Sequence, residues 1–414
     1  MAYGNILIRN ARVLTLAGGS VARRGAAMSE LGVEANADIL IYRGTIQGVQ
    51  SSVTSTLRRL HPSIDVWDAE GRVVMPAFID CHTHACFAGS RLEEWDLKRR
   101  GISYQDLLKA GGGIMSTVRA TRLASATQLE LLMSDRIYRA SQFGTATIEI
   151  KSGYGLSLEH ELAMLRSIQN VSRQLPIGIV MTALLGHAID PAIPDFVEKT
   201  ITQTLPVIAA EFPGIAIDSF CEDNAWSKED TVRLFDAARA LGMPLRVHTD
   251  QFTSKGMITE AIRLGAASCD HLEAATDPEL KLLGESSTIA VGLPGCGFHL
   301  DGRYPNLRKV IDAGGAAAIA TNFNPGSSPC LSMPMAISLA ARYCGLSPQE
   351  AIVASTVNAA AVLGLTDRGT LEVGKRGDIV ALNATDERVL AYEFGMNPVH
   401  TLFVGGEDVH NRKP

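Results

Sequence analysis

Two histidines, His82 and His84, stand two apart in the run Asp80-Cys81-His82-Thr83-His84. On an extended strand, side chains two apart point the same way, so both imidazoles share one face. Imidazole is the commonest metal ligand at neutral pH. Alone, His-x-His is weak evidence, because packed histidines also occur at this spacing. A third histidine, His248, ends another apolar run and makes a set of three nitrogens, which suits zinc or iron.

These residues need a scaffold that gathers strand ends. Eight short apolar runs cross the centre of the chain, at 76–81, 145–150, 177–185, 215–221, 244–248, 266–271, 288–293 and 316–321. Segments with helical spacing lie between them, as at 159–174, 228–241 and 255–264. Alternation of this kind predicts a closed parallel (β/α)8 barrel of the TIM type, whose chemistry sits at the C-terminal strand ends. The gap at 82–144 leaves room for an extended loop and extra helices over one mouth. Polar residues close most of the runs: Asp80 to His84, Glu149 and Lys151, His187, Glu222, His248 to Gln251, Asp270-His271, and Thr321 to Asn324. Five of the ten histidines therefore fall at predicted strand ends. Glu149 and Lys151 read as a structural ion pair, with positioning of Tyr154 as the alternative.

Both termini are β-rich. Residues 5–17 and 38–49 alternate apolar and polar, and Arg43-Gly44 reads as a hairpin turn within the second. Residues 18–36 read as a loop, 65–74 as one short strand, and 370–383 and 401–405 as strands with glycine turns. The expectation is a small β-sandwich domain from residues 1–75 plus 368–414, around a catalytic barrel at 76–367.

The 414 residues are 46% apolar and 20% charged, with net charge −6. That balance excludes a disordered chain or a coiled coil. An acidic chain without basic runs is not expected to bind nucleic acid. The seven cysteines form no Cys-x-x-Cys pair and read as reduced thiols of a cytoplasmic chain. Cys81 and Cys86 read as small packed residues. Neither a signal peptide nor a membrane span is expected.

Longer blocks narrow the reading. VVMPAFIDCHTHACFAGSR (73–91), GGGIMSTVRATR (111–122), EIKSGYGLSLEHELAMLR (149–166), VHTDQ (247–251), CDHLE (269–273), NFNPGSSP (322–329) and LEVGKRGDIV (371–380) resemble the imidazolonepropionase family of the amidohydrolase superfamily. The FAGSR, KSGYG and NPGSS blocks are far more specific than the metal motif.

The resemblance implies that His82, His84 and His248 bind one Zn2+ or Fe3+ ion, whose water ionises near neutral pH. It implies a small anionic heterocyclic substrate: 4-imidazolone-5-propanoate, opened by water to N-formimidoyl-L-glutamate. Arg91 is then the residue that grips the propionate. Tyr154 hydrogen-bonds substrate and product, and His187 touches the ring or the developing oxyanion. Gln251 lies over the ring, while Asn324, Gly326 and Ser327 form a loop around the ligand. His271 shuttles a proton or holds the water. By analogy the chain is a homodimer.

One residue departs from the family. Asn322 stands where the family carries an Asp that approaches the metal and accepts a proton from water. The amide oxygen of Asn322 can still ligate, but it is no base. Loss of a positioned base costs about 10²–10⁴ in rate, roughly 3–5 kcal/mol. An engineered substitution, a replacement base (His271 first), or a naturally altered member each accounts for it. The alternatives to the leading function are thus another cyclic amide or amidine with a carboxylate tail, or a weakened, non-catalytic binder. Residues 295–304, GCGFHLDGRY, also differ from the apolar block expected after the seventh strand.

Overall fold

The computed structural model describes residues 4–50, 64–102 and 112–410. Gly111, which opens the GGGIMSTVRATR block, lies outside them. Among the described residues, sixteen strands fall into two sheets.

The central sheet contains β6 (Phe78–Asp80), β7 (Thr145–Lys151), β8 (Gly178–Gly186), β9 (Ala216–Cys221), β10 (Leu245–Thr249), β11 (Ser268–His271), β12 (Ile289–Gly292) and β13 (Ala317–Ile319). Each coincides with one of the eight apolar runs. All neighbours are parallel and follow chain order. Parallel strands are covered on both faces, so β7, β10, β11, β12 and β13 are buried at every residue. The ring closes just beyond β6 and β13, where the Asn322 amide donates to His82 O at 3.0 Å and the His84 amide to Phe323 O at 2.9 Å. The buried Asp80 carboxylate locks this seam by accepting from Thr321 N at 3.1 Å and Thr321 Oγ1 at 2.5 Å. The closing seam therefore carries His82, His84 and Asn322.

Helices cover the barrel where the periodicity placed them, at Leu158–Ser172, Lys228–Ala240 and Met257–Leu264. Lys228–Ala240 buries Thr231, Leu234, Phe235 and Ala238, one face at helical spacing. Its start is fixed by Ser227, whose hydroxyl accepts from Asp230 N. Among the described residues, the long first gap holds three helices, Leu92–Arg99, Ile114–Leu123 and Ala126–Ser141. The last of these sends Arg136 under the loop after His84. Its guanidinium donates to Ala85 O at 2.8 Å and Phe87 O at 2.6 Å, and lies 3.5 Å above the Phe87 ring.

The second sheet is built from both termini. Its order is β16-β15-β14-β5-β1-β2-β3, with β4 added to β1. The strands are β1 (Ile6–Leu14), β2 (Val33–Tyr42), β3 (Thr45–Gln50), β4 (Asp65–Asp68), β5 (Val73–Pro76), β14 (Ile379–Leu382), β15 (Val399–Val404) and β16 (Glu407–Asp408). Arg43 and Gly44 have φ of 50° and 77°, the paired left-handed geometry of a two-residue hairpin turn. Ile8, Val13, Ile39, Ile41, Val74, Ile379 and Phe403 form its core.

Three boundaries differ from expectation. β2 begins at Val33, inside the expected loop, and Gly25–Ser29 is a 3-10 turn. Glu34 and Val33 pair with Val13 and Leu14, yet the side chains of 33–36 are all exposed, so hydrophobic patterning is silent there. The expected strand at 65–74 is two strands, broken at Glu70-Gly71, both at positive φ. Of 370–383, only Ile379–Leu382 is extended in a ladder.

Candidate functional site

The three histidines meet at the barrel mouth. One donor atom from each of His82, His84 and His248 lies within 4.8 Å of the others, and all three side chains are buried. His248 Nε2 is 3.3 Å from His84 Nε2. The ring centroids of His82 and His248 are 4.4 Å apart.

Carboxylates behind the rings set their tautomers. His82 Nδ1 donates to Asp270 Oδ2 at 2.6 Å, and His248 Nδ1 donates to Asp218 Oδ1 at 3.0 Å. Each ring then presents a bare Nε2 lone pair. His82 Nε2 is buried with no hydrogen-bond partner. Burial, reinforced by Lys151 for His82 and by His187 for His84, pushes both imidazoles well below their usual range. Burial also lowers His248, against the pull of Asp218. The bare Nε2 atoms of His82 and His248 face His84 Nε2, and a cation among the three nitrogens would meet all of them, so the residues present fit a metal ion.

The two carboxylates are joined beneath the site by one buried chain of charges. Asp270 Oδ2 accepts from Arg246 Nη2 at 2.7 Å, and Arg246 Nη1 donates to Glu149 Oε1 at 2.8 Å. Glu149 Oε1 accepts from Lys151 Nζ at 2.6 Å, and Lys151 Nζ reaches Asp218 Oδ2 at 2.8 Å. Every member is at most 2% exposed at its side chain. Glu149 and Lys151 are thus more than an isolated pair: they span the floor from the His82 side to the His248 side. Neither Asp218 nor Arg246 was singled out by the sequence. The signal was there, since a charged residue inside a buried strand run needs a charged partner.

Asn322 sits at the closing seam, 1% exposed and at φ 54°. Its Nδ2 donates to Ser327 Oγ at 3.4 Å, and its Oδ1 has no hydrogen-bond partner. Asp250, His271 and Leu272 are also non-glycine residues at positive φ, just past the ends of β10 and within and beyond β11. Such backbone strain collects where a structure holds side chains for function.

His187 and Tyr154 line one wall. His187 stacks on His84 with centroids 5.0 Å apart and 22° between planes, and Tyr154 is 5.0 Å from His187. His187 Nδ1 donates to Gly153 O at 2.9 Å, which leaves Nε2 as an acceptor. Burial pushes His187 down to about 3, so it stays neutral. Gly153 has φ 108°, and a Cβ there would stand 3.0 Å from His187 Nδ1. Burial raises the Tyr154 phenol, which stays protonated. The loop carrying both is tied by Glu161, whose carboxylate accepts from Gly153 N, Gly155 N and Leu156 N at 2.9, 2.8 and 2.8 Å. That role went unread in the sequence.

The opposite wall carries His271, Glu273, Gln251 and Cys296. His271 Nδ1 is 3.3 Å from Glu273, and Gln251 Nε2 donates to Cys296 Sγ at 3.1 Å. Burial alone lowers His271, but the Glu273 carboxylate together with the Cys296 sulfur outweighs it and holds the imidazole at about 10. His271 therefore carries its proton at neutral pH.

Arg91 stands at the rim and lines an open cleft of about 170 Å³ together with Glu94, Trp95, Lys98, His299 and Gly326. Its guanidinium is paired with Glu94 at 2.6 Å. Gly326 keeps that approach open, since a Cβ there would lie 3.3 Å from Arg91 Nη1. Asn324 builds the loop next to it: Oδ1 accepts from Gly326 N and Ser327 N, each at 2.8 Å, and Nδ2 donates to Ser327 Oγ at 2.8 Å. The structure thus brings together His82, His84, His248, His187, Tyr154 and His271. Asn324 is occupied in holding its own loop. All seven cysteines are unbridged, and among the described residues no helix is long and apolar enough to cross a membrane.

Comparison with known proteins follows the same lines. The amidohydrolase family model matches residues 73–409. The imidazolonepropionase of Herpetosiphon aurantiacus is 39% identical over 427 residues, covering 100% of this chain and 99% of that protein. The imidazolonepropionase of Deinococcus radiodurans is 40% identical over 385 residues, covering 93% and 94%. Among solved structures, 5-methylcytosine deaminase from Klebsiella pneumoniae, liganded with phosphonocytosine, superposes with TM-score 0.73 at 18% identity over 99% of this chain and 98% of its own. An adenosine deaminase from Xanthomonas campestris with bound zinc gives 0.68 at 18% identity, over 98% and 92%. At these identities the likeness is one of fold.

Proposed function

We propose a function from one premise: the chain belongs to the amidohydrolase family and, within it, to the imidazolonepropionases. It hydrolyses the ring amide of 4-imidazolone-5-propanoate to N-formimidoyl-L-glutamate, a step of histidine breakdown, in the cytoplasm and as a homodimer by family analogy. Residues 76–367 are the catalytic unit, and residues 1–75 with 368–414 the small β unit.

In this reading His82, His84, His248 and the side-chain oxygen of Asn322 hold one ion, zinc or iron. When bound, the ion makes hydroxide available near neutral pH and polarises the amide carbonyl. The remaining work belongs to side chains. Arg91 exchanges its contact with Glu94 for a two-point contact with the propionate, which fixes the ring. His187 accepts a ring N–H at Nε2, and Tyr154 donates from its phenol. Water adds to the ring carbonyl carbon and the ring C–N bond breaks. His271 gives its proton to the departing nitrogen, and the proton shed by the water restores it. Asn322 cannot take that proton directly, so the reaction runs slower than with a carboxylate there.

The observation that carries this reading is the convergence of three neutral imidazoles, two of them oriented by carboxylates. The test is metal analysis of the purified protein together with the ultraviolet absorbance of the imidazolone. About one ion per chain at the histidines and loss of absorbance on incubation are expected. Metal-free protein, or a compound stable under saturating enzyme, removes the reading.

A further inference from the structure

The sequence block GGGIMSTVRATR has no role in the reaction above, although its helix, Ile114–Leu123, is tied to the loops that surround the site. Gly113 N donates to Glu94 Oε2 at 3.2 Å, the oxygen that also meets Arg91. Thr121 Oγ1 accepts from Ala88 N at 3.1 Å, within the FAGSR block. From this fixed base Arg122 reaches the wall formed by Tyr154 and His187. Its Nε donates to Gly155 O at 2.7 Å and its Nη2 to Leu156 O at 3.0 Å. The same Nη2 lies 2.8 Å from Asp190 Oδ2, three residues past His187. Asp190 is 3% exposed, and its Oδ1 accepts from Ala192 N at 3.0 Å.

One guanidinium thus joins the loop of Tyr154 to the loop of His187. The KSGYG turn has Gly153 at φ 108° and Leu156 at φ 48°, so its peptide groups must be held from outside. Glu161 accepts from three of its N–H groups, and Arg122 donates to two of its carbonyls. A carboxylate cannot serve a carbonyl, so the two side chains hold opposite polarities of one turn. His187 takes its ring orientation from Gly153 O in the same turn. A shift of the Gly155 carbonyl therefore moves Tyr154 directly and His187 through Gly153. All three acceptors of Arg122 lie outside the barrel strands, so this contact set serves the wall and not the barrel.

We propose that Arg122, balanced by Asp190, is a positioning residue that sets the spacing of Tyr154 and His187 against the substrate ring. The inference rests on the reading that these two side chains contact the ring of the imidazolone. Arg122 acts through the two loops and not by contact with the ring. Its fork, beyond its charge, spans two carbonyls and a carboxylate, and a lysine ammonium does not reproduce that span.

Arg122→Lys in the metal-loaded protein is expected to lower kcat/KM for the imidazolone by about 10–100-fold, the scale of a displacement of roughly 1 Å near a reacting centre. In a Tyr154→Phe background the same change is expected to cost at least about threefold less, because the hydroxyl it positions is already gone. A merely structural role gives the full loss in both backgrounds. Metal affinity, read by competition against a chelator, is expected to stay at the wild-type value. Amide hydrogen exchange supplies a readout that needs no substrate: Gly153, Gly155, Leu156 and Ala192 are expected to exchange about tenfold faster or more, with the barrel strands unchanged. Asp190→Asn is expected to move both readouts in the same direction, and it carries the test if Arg122→Lys does not fold. Unchanged kcat/KM, full additivity with Tyr154→Phe, or unchanged exchange at those amides overturns the proposal. Should the wild-type protein leave the imidazolone intact, the substrate reading falls, and the exchange measurement alone decides whether Arg122 sets the wall.

Discussion

Asp270 accepts the Nδ1 proton of His82 at 2.6 Å, in a pair with no solvent exposure at either side chain. That contact decides which nitrogen of His82 faces the barrel mouth, and Arg246 Nη2 donates to the same Asp270 oxygen at 2.7 Å. Removing the charge while keeping the shape is the cleanest probe. Asp270→Asn is expected to weaken metal binding by about 10–100-fold, the usual effect of losing a carboxylate behind a ligating histidine. Competition against a chelator of known affinity measures it. Unchanged affinity contradicts the orienting role.

The amide at position 322 is expected to limit turnover. Asn322→Asp supplies a carboxylate at the closing seam, and the rate is expected to rise by at least about tenfold, towards the roughly 10²–10⁴ that a positioned base contributes. Steady-state kinetics with the imidazolone read this out. An equal or lower kcat/KM means that proton transfer from water is already served by another group.

Arg91 holds Glu94 now and is assigned to the substrate carboxylate. Arg91→Lys keeps the charge but loses the two-point fork. KM is expected to rise by about tenfold, in line with the roughly 1.5–3 kcal/mol of a hydrogen bond to a charged group, with little change in kcat. A fall in kcat at constant KM places Arg91 in the chemistry instead of in binding.

His271 gives the metal-stripped protein a pH signature. Burial opposes its charge, Glu273 and the Cys296 sulfur together outweigh burial, and the folded imidazole titrates at about 10 against 6.5 unfolded. Protonated His271 therefore stabilises the fold fully below about pH 6.5, and this contribution fades as pH rises through about 10. The urea midpoint of the wild-type protein minus that of His271→Asn is expected to shrink across this window. A gap that widens with pH contradicts the pairing with Glu273.

What could be read in the sequence follows from where the physics is local. Parallel strands buried on both faces are short apolar runs, and a polar residue at the end of each marks the mouth. So the barrel, His82, His84 and His248 were visible in advance. Asp218 and Arg246 were not, because their meaning lies in partners 30 and 97 positions away: His248 and Glu149. Register decides such pairings, and register is not local. Glu161 was hidden differently, as one more acid at a helix start until three backbone amides were found pointing at it. The exposed start of β2 shows the converse limit, since it is held by ladder bonds to β1 and carries no pattern of its own.

The most direct measurement is an anomalous difference map, collected at the metal absorption edge from crystals of the protein loaded with zinc or iron. A single strong peak about 2.0–2.1 Å from a ring nitrogen of each of His82, His84 and His248 is the result this account predicts. Density absent from that point, or a peak that leaves any one of the three rings unbound, contradicts it.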